Sequence, residues 1–395
     1  MHWLKQKLDQ QRQQNRYRTH KVFDSPQQVH SKIDGKDIIS FCSNDYLGLA
    51  NHPQLRAAFQ QGVEDWGVGA GAAHLVNGHR RPHQALEEAL AEFTGQPRAL
   101  LFSTGYMANL AIATALLGRG DSVIQDKLSH ASMIDAAQLS AAKRLRYQHV
   151  DADSLARQLS NAKGNKLVMT DGVFSMDGNI APLPEIAQLC KSHDALLMLD
   201  DAHGIGVLGE TGAGCVEHFG FKQKPIIMGT LGKAFGSFGA FVAADEEVIE
   251  ALIQFGRSYI YTTATPPALA TASLCALNII KTEPWRREKL HELIALFREQ
   301  ALQLGLDLMP SDTPIQPIII GDEETCIELS EKLYTDGLHV GAIRPPTVPK
   351  GSARLRITLS AEHTEGDVHQ LIQSLASHIK PRCASDTCCP LPITI

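Results

Sequence analysis

Apolar segments without polar alternation recur along the middle of the chain and are separated by segments with helical periodicity. Lys166–Thr170, Ala195–Leu199 and Pro225–Gly229 are almost wholly hydrophobic, as expected for parallel strands that are buried on both faces. Leu183–His193 has the pattern of a helix that connects the first two strands. The pattern therefore predicts an α/β fold in which helices surround a mostly parallel central sheet.

The elements outside this sheet predict a second, smaller domain. We expect residues 1–45 to form a helix and strand segment that packs with it, 46–283 to form the large domain, and 284–380 to form the small C-terminal α/β domain. Residues 381–395 contain three cysteines and are expected to be a mobile tail. A long helix from Trp285 to Leu304 is expected to lead out of the large domain.

Composition and charge exclude several classes of protein. The chain has 395 residues with 37 basic and 43 acidic side chains, a net charge of −6, and the basic residues form no stripe, so we expect no binding to nucleic acid. It contains no apolar run of the roughly 18 residues that a membrane helix needs, and the polar N-terminal residues are not typical of a signal peptide. The eight cysteines lack metal-ligand spacing, so we expect reduced thiols, a cytoplasmic location and no metal site.

Three consecutive predicted strands are followed by residues that can do chemistry. The segments DGVFSMDGN, DDAHGIG and TLGKAFGSFG come after the three apolar strands and combine acids, hydroxyl groups, an imidazole and an amine with glycines. Ligands of open parallel sheets bind at the carboxyl ends of the strands. We therefore expect one site there.

Lys233 is the most informative residue of this group. It follows a buried strand and has small neighbours, Gly232, Ala234 and Gly236. A desolvated lysine has a lowered pKa and can form a Schiff base with a carbonyl group. The alternative is an ordinary surface lysine on a loop.

Acid and imidazole groups near Lys233 have both functional and structural interpretations. Asp200 could hold magnesium in a nucleotide hydrolase, but the phosphate loop that this needs is absent. It could instead pair with a pyridinium nitrogen or merely cap a turn. His203, three residues later, and His130, at a helix start, are candidates among seventeen histidines. Gly105 and Tyr106 begin a predicted helix whose N-terminus favours a phosphate.

Longer motifs resemble a known family. SNDYLGL, LSHAS, GVFSMDG, DDAHGIGVLGE, GTLGKAFG and AIRPPTVPKGSARLRITLSAEHT resemble the α-oxoamine synthases, which are fold type I pyridoxal-phosphate enzymes. The motifs extend from the N-terminal segment to about residue 380. The resemblance implies a fold type I transferase with pyridoxal 5'-phosphate as cofactor.

The resemblance also implies roles for individual residues. Lys233 would hold the cofactor covalently and move the substrate α-proton, Asp200 would pair with the pyridine nitrogen, and His130 would stack on the ring. The ring hydroxyl group and the phosphate would be bound by His203, Ser175, Gly105, Tyr106 and Thr230, with Thr262 or Thr263 of a second subunit as further candidates. Substrate would be bound by Arg18, Asn44, His130, Arg344 and Thr347.

The segment IRPPTVP most resembles family members that join L-alanine to a pimeloyl thioester, carried by CoA or acyl carrier protein. A glycine-using relative, of the 2-amino-3-ketobutyrate CoA ligase or 5-aminolevulinate synthase type, is the alternative. Two other classes stay open: a nucleotide-dependent or NAD enzyme, and a non-catalytic scaffold. The family implies a homodimer with the active site at its interface. His74–Pro82 carries more basic and imidazole groups than expected.

Overall fold

The chain divides into two compact units. The computed structural model describes residues 2–14, 16–221 and 223–379. One unit contains the described residues up to Ser43 and those from Lys289 onward, and the other is Asn44–Glu288. The expected Cys-rich tail lies outside the described residues. Within the described ranges, no helix is both long and apolar enough to cross a membrane.

Helices and strands alternate along most of the described chain. The helices are α1 His2–Gln13, α2 Pro53–Trp66, α3 Arg81–Thr94, α4 Gly105–Leu116, α5 Ala131–Leu139, α6 Ala152–Asn161, α7 Leu183–Ser192, α8 Cys215–His218, α9 Glu246–Phe255, α10 Arg257–Ile260, α11 Pro267–Thr282, α12 Trp285–Gln303, α13 Glu323–Thr335 and α14 Glu365–His378. The strands are β1 His30–Ile33, β2 Lys36–Ser40, β3 Arg98–Phe102, β4 Ser122–Asp126, β5 Lys143–Tyr147, β6 Lys166–Asp171, β7 Leu196–Asp200, β8 Ile226–Thr230, β9 Ala240–Ala244, β10 Ile315–Gly321, β11 Leu338–His339, β12 Gly341–Ile343 and β13 Ala353–Thr358.

The larger unit is built on a seven-stranded sheet with the order β3-β9-β8-β7-β6-β4-β5. Five neighbouring strands are parallel, namely β8, β7, β6, β4 and β5, whereas β9 runs antiparallel to both β8 and β3. The predicted α/β fold with a mostly parallel sheet is thus confirmed. The chain reverses after β8, so the segment that contains Lys233 joins two antiparallel neighbours.

Small apolar side chains bring α4 close to this sheet. Ala108, Ala111 and Ile112 are fully buried and belong to a core cluster with residues of the sheet and of α5. Thr104 caps the start of α4, because its hydroxyl oxygen accepts a hydrogen bond from the backbone N–H of Met107 at 3.2 Å. Close packing of this kind fixes the N-terminus of α4 near the carboxyl ends of β7 and β8.

The other unit contains two three-stranded sheets, β1-β2-β11 and β10-β13-β12. The sequence predicts one strand over Leu338–Ile343, which is wrong because the structure has two short strands there, β11 and β12. Strand β11 pairs parallel to β2, while β12 pairs antiparallel to β13. Val340 lies between them and is 1% exposed, so the chain passes from one sheet to the other at a buried residue.

The small residues of segment 67–78 predict a loop, but the structure has a short π-type helical turn, His74–Gly78, within this segment. The backbone N–H of Gly78 donates to the carbonyl oxygen of Ala73 at 3.0 Å. A Cβ atom on Gly78 would lie 2.1 Å from the carbonyl oxygen of Ala72. The glycine therefore permits a backbone approach that no larger residue allows.

Candidate active site

The carboxyl ends of β6, β7 and β8 meet at one edge of the large sheet. Asp171, the last residue of β6, lies opposite Asp200, the last residue of β7, and Asp200 lies opposite Met228 of β8. The sheet thus brings together the strand ends that the sequence analysis selected. Two buried carboxyl groups are neighbours there, because Asp171 and Asp200 are each 5% exposed.

Lys233 lies on a tight connection between β8 and β9. The backbone N–H of Leu231 donates to Gly239 at 2.9 Å, and that of Gly236 donates to the carbonyl oxygen of Lys233 at 2.8 Å. Gly236 has a φ of +62°, and a Cβ atom there would lie 2.3 Å from the backbone nitrogen of Ala50. These restraints hold a half-buried lysine at a fixed place.

The amine of Lys233 begins a chain of hydrogen bonds. Its Nζ lies 2.8 Å from Nε2 of His203, and Nδ1 of His203 lies 2.5 Å from the hydroxyl oxygen of Tyr46. That hydroxyl group donates to Oδ1 of Asn44 at 3.2 Å. If Tyr46 donates to Asn44, it accepts from Nδ1–H of His203, which leaves Nε2 as an acceptor for the lysine. Tyr46 was not a sequence candidate, although SNDYLGL contains it.

A second chain of hydrogen bonds links Asp200 with His130. Nδ2 of Asn109 donates to Oδ2 of Asp200 and to the hydroxyl oxygen of Ser132, both at 2.8 Å. The Ser132 hydroxyl group is also 2.7 Å from Nδ1 of His130. The ring of His130 is exposed at the start of α5, so its face is open to a planar ligand. Asn109 and Ser132 were not found from the sequence.

Asp171 supports the same region from the neighbouring strand. Its Oδ2 accepts a hydrogen bond from the backbone N–H of His130 at 3.1 Å. Burial, and then the nearby charge of Asp200, raise the pKa of Asp171 well above its usual value. The positive charge of Lys233 acts in the opposite direction.

Asp201 has a structural position and is not a metal ligand candidate. It is fully buried, its Oδ2 accepts from the backbone N–H of Cys215 at 2.7 Å, and burial raises its pKa to about 7. The positions of Asp200 and Asp201 therefore do not support the interpretation that they bind magnesium.

The predicted phosphate ligands lie at the start of α4 and the end of β8. The N–H groups of Gly105 and Tyr106 are in the first helical turn, where backbone donors lack intrahelical acceptors. The hydroxyl group of Thr230 donates to Gly239 at 3.1 Å and accepts from the N–H of Gly232 at 3.2 Å. The hydroxyl group of Tyr106 is hydrogen-bonded to Asp135. Ser175 is half-buried in the turn after β6.

The predicted substrate residues outside this sheet line a cavity of the other unit. Arg18, Arg344 and Thr347 surround about 680 Å³, together with Arg16 and Tyr17, which the sequence analysis did not select. Nε of Arg16 is buried without a hydrogen-bond partner in the described parts of the chain. Three guanidinium groups around one cavity favour an anionic ligand such as a carboxylate or a phosphate. Asn44 does not line this cavity and belongs to the hydrogen-bond chain of Lys233.

Three histidines of the segment near the π-type turn lie close together. Ring nitrogens of His74, His79 and His83 are within 4.8 Å of one another, and burial together with the other two rings lowers the pKa of His74 to about 3. Both nitrogens of His83 are already used, since Nδ1 accepts from the N–H of Arg80 and Nε2 donates to Thr265, each at 2.9 Å. The arrangement is therefore a hydrogen-bonded helix start and not an open ligand set.

The residues at the sheet edge fit pyridoxal phosphate. An amine for its aldehyde carbon, a carboxylate for its ring nitrogen, an exposed imidazole for its ring face and a helix N-terminus for its phosphate occur together. Gly105 has no Cβ atom, and one added there would lie 3.2 Å from the side chain of Met228. The donor set thus matches each polar part of the cofactor.

Comparison with known proteins agrees with this geometry. The profile of the family described as aminotransferase class I and II matches residues 36–375. The 8-amino-7-oxononanoate synthase of Pseudomonas syringae pv. tomato is 59% identical over 94% of each chain. A solved 8-amino-7-oxononanoate synthase from Francisella tularensis is 35% identical, with a TM-score of 0.76 over 86% of this chain and 97% of that one.

A solved serine palmitoyltransferase that carries PLP is 31% identical, with a TM-score of 0.90 over 95% of this chain and 96% of that one. The predicted fold type I architecture and the predicted pyridoxal phosphate cofactor are confirmed by these likenesses. The chain belongs to the aminotransferase class I and II family and, within it, to the 8-amino-7-oxononanoate synthases.

Proposed function

We propose that this chain condenses L-alanine with a pimeloyl thioester, carried by CoA or acyl carrier protein, in biotin biosynthesis. The products are 8-amino-7-oxononanoate, carbon dioxide and the free thiol. One observation carries the proposal: the amine of Lys233 is hydrogen-bonded to His203 at the sheet edge where the carboxylate of Asp200 is held. Relatives that are 57% to 59% identical and have this activity in their names support the choice of substrates.

Bound pyridoxal phosphate supplies an electron sink that spreads the negative charge formed at the α-carbon of the amino acid. In this proposal Lys233 would hold the cofactor covalently. Once the amino group of alanine has taken its place, the freed Nζ would take the α-proton and return it later. His203 accepts a hydrogen bond from that amine and orients it. Asp200 keeps the pyridine nitrogen protonated, since an adjacent carboxylate favours the charged form of the ring.

Other residues of the large unit bind and orient. The exposed ring of His130 is placed to stack, and the N–H groups of Gly105 and Tyr106, with the hydroxyl group of Thr230, are placed to bind phosphate. Ser175 would bind the ring hydroxyl group, and Nε2 of His203 would do so once the amine of Lys233 is bound to the cofactor.

Arginines of the other unit would bind the carboxylates of the substrates. We assign Arg344 to the carboxylate of alanine, and Arg18 with Thr347 to the acyl substrate, because these three residues line one cationic cavity. A fixed guanidinium group binds a carboxylate through two parallel hydrogen bonds. We further propose that the enzyme is a cytoplasmic homodimer.

The assignment is tested with purified protein, pyridoxal phosphate and a matrix of substrates. L-alanine, glycine and serine are each combined with pimeloyl, acetyl, succinyl and palmitoyl thioesters, and products are identified by mass spectrometry. We expect product from alanine with the pimeloyl thioester. Product from glycine with an acetyl or succinyl thioester would support the proposed type of reaction but would refute alanine and the pimeloyl thioester as its substrates.

Lys233→Ala should lose both turnover and the visible absorption band of the lysine-bound cofactor, because no other group at this position supplies the amine. The control is Lys281→Ala, which removes an exposed lysine 3.9 Å from Glu92. Turnover by Lys233→Ala at a rate near that of the parent enzyme would refute the role of Lys233.

A further inference from the structure

A buried amide connects two residues of the proposed active site. Asn109 on α4 is 0% exposed, and its Nδ2 donates both to Asp200 and to Ser132. Ser132, 1% exposed, in turn contacts the ring of His130. Helix α4, strand β7 and the start of α5 are thus joined by a chain whose two ends, Asp200 and His130, are the residues that we assign to the cofactor.

The orientation of this amide is fixed by chemistry. In the structure the nitrogen of Asn109 points towards Asp200, which is the orientation that an ionised carboxylate requires because it can only accept hydrogen bonds. The amide oxygen, Oδ1, is then buried with no hydrogen-bond partner in the described ranges. A buried acceptor without a partner costs free energy, and the two donated bonds offset that cost.

Asp200 and Asp171 compete for one negative charge. They are cross-strand neighbours at the ends of β6 and β7. Two buried carboxyl groups on neighbouring strands do not both ionise readily, because their negative charges repel each other. Asp200 accepts from Asn109 and, at 3.2 Å, from the N–H of Ala202. Asp171 accepts from the N–H of His130.

Several groups around Asp171 shift its pKa, and they act in both directions. Burial and the charge of Asp200 raise the pKa of Asp171 most, and Asp126 on β4 raises it further. The N–H of His130 and the charge of Lys233 lower it. Among the described residues, the carboxylate of Asp200 accepts two hydrogen bonds and that of Asp171 one, so we place the proton of the pair on Asp171.

We propose that Asn109 is a positioning residue that keeps the negative charge of the Asp171–Asp200 pair on Asp200 and ties that carboxylate, through Ser132, to the ring of His130. Asp171 holds the proton. The inference rests on the proposed role of Asp200 beside the pyridine nitrogen. It explains why a polar side chain occupies a fully buried position on an otherwise apolar helix face.

The first test uses cofactor-free protein with carboxyl-¹³C-labelled aspartate, titrated by NMR. Asp171→Asn and Asp200→Asn identify the two signals. In Asn109→Leu, which removes the donor and keeps the branched shape of the side chain, the titration midpoint of Asp200 should rise by about one pH unit or more. In Ser132→Ala, which leaves the bond between Asn109 and Asp200 in place, it should not rise.

An unchanged Asp200 midpoint in Asn109→Leu would overturn the proposal. If that variant does not fold, Asp171→Asn decides: its amide mimics a protonated acid, so the Asp200 midpoint should stay at that of the parent protein. A clearly lower midpoint would show that Asp171 carries the charge in the parent protein, and it would refute the assignment.

The second test separates positioning from general damage. Exchange of the alanine α-hydrogen with deuterated solvent is measured with pyridoxal phosphate and with an analogue in which carbon replaces the ring nitrogen. Asn109→Leu should slow exchange about tenfold or more with the natural cofactor and much less with the analogue, which has no nitrogen for Asp200 to charge. Equal losses with both would indicate a merely structural role.

The two tests also distinguish this inference from the proposed function. If the parent protein neither retains pyridoxal phosphate nor exchanges the α-hydrogen of alanine, the proposed function fails. The aspartate titration in cofactor-free protein still decides which carboxyl group of the pair is charged.

Discussion

Glu87 on α3 is a carboxyl group buried in the large unit. Its Oε1 accepts a hydrogen bond from the backbone N–H of Leu101 at 2.9 Å, and its Oε2 lies 3.9 Å from Nε2 of His79. Burial outweighs the hydrogen bond and raises the pKa of Glu87 to about 7. The folded protein therefore binds this proton more tightly than the unfolded chain does, between about pH 4.5 and pH 7.

Because the folded pKa is raised, the contribution of Glu87 to stability is present at low pH and lost as pH rises through about 7. Glu87→Gln keeps an acceptor for Leu101 without a buried charge. It should raise the free energy of unfolding at pH 8 by up to about 3 kcal/mol and change it little at pH 5. Urea unfolding at both pH values measures this. Exposed Glu88→Gln is the control, and equal effects at pH 5 and pH 8 would contradict the prediction.

Single residues of the candidate site were predictable where the chain order places them at strand ends. Lys233, Asp200 and His203 follow buried strands, and parallel strands end at one edge. Asn109 and Tyr46 could not be found in this way. Asn109 lies in a helix whose pattern predicts only packing, and Tyr46 lies in a motif that indicates the family but not the partner of its hydroxyl group. Their roles depend on partners about 90 and 157 positions away.

Helix ends show how local sequence specifies an element. Helix α14 begins with a capping box, in which the Thr364 hydroxyl oxygen accepts from the N–H of Asp367 at 3.2 Å and the N–H of Thr364 donates to Oδ2 of Asp367 at 2.7 Å. Reciprocal bonds of this type satisfy backbone donors that the helix itself leaves unpaired.

Thr364→Ala removes the hydroxyl group of this box and should destabilise the protein by about 1 kcal/mol. Thermal or urea unfolding measures the change. Thr335→Ala, at the exposed end of α13 where the hydroxyl group donates to Glu331, should cost less than about 0.5 kcal/mol. A loss for Thr335→Ala as large as that for Thr364→Ala would show that the cap adds nothing.

The periodic elements were predicted to within a few residues because buried strands and amphipathic helices leave strong patterns. Three features were not. The antiparallel direction of β9 and the break at Val340 depend on strand pairing across the fold, and the π-type turn at His74–Gly78 depends on the approach of one glycine to a backbone carbonyl group. The local pattern of apolar and polar residues shows neither which strands pair nor where two backbone segments approach each other.

On the scale of the molecule, one apolar surface of the large unit agrees with the proposed dimer. Val68, Val76 and Tyr261 are 81%, 77% and 72% exposed, and their segments are joined where Ala73 pairs with Thr263. Large exposed apolar side chains in neighbouring segments are typical of surfaces that a partner covers. The occupant that we propose is a second copy of this chain.

Light scattering should give the parent protein twice the mass of one chain. Val76→Glu should shift it towards the monomer, because a charge would have to be desolvated in the interface. Leu139→Glu is the control, since Leu139 is 65% exposed at the end of α5. A monomeric parent protein would refute the dimer, and a dimeric Val76→Glu would exclude this surface.

The reversal of the chain after β8 has a kinetic consequence. In the role that we propose for Lys233, the lysine releases its covalent partner and recaptures it in every turnover, so its amine must return to the same place each time. Here both ends of its short segment are continuous with paired strands, β8 and β9, so the backbone beneath Lys233 has no room to drift. The amine would then return to its place by rotation of its own side chain, a motion that takes nanoseconds or less, without the slower search of a mobile loop.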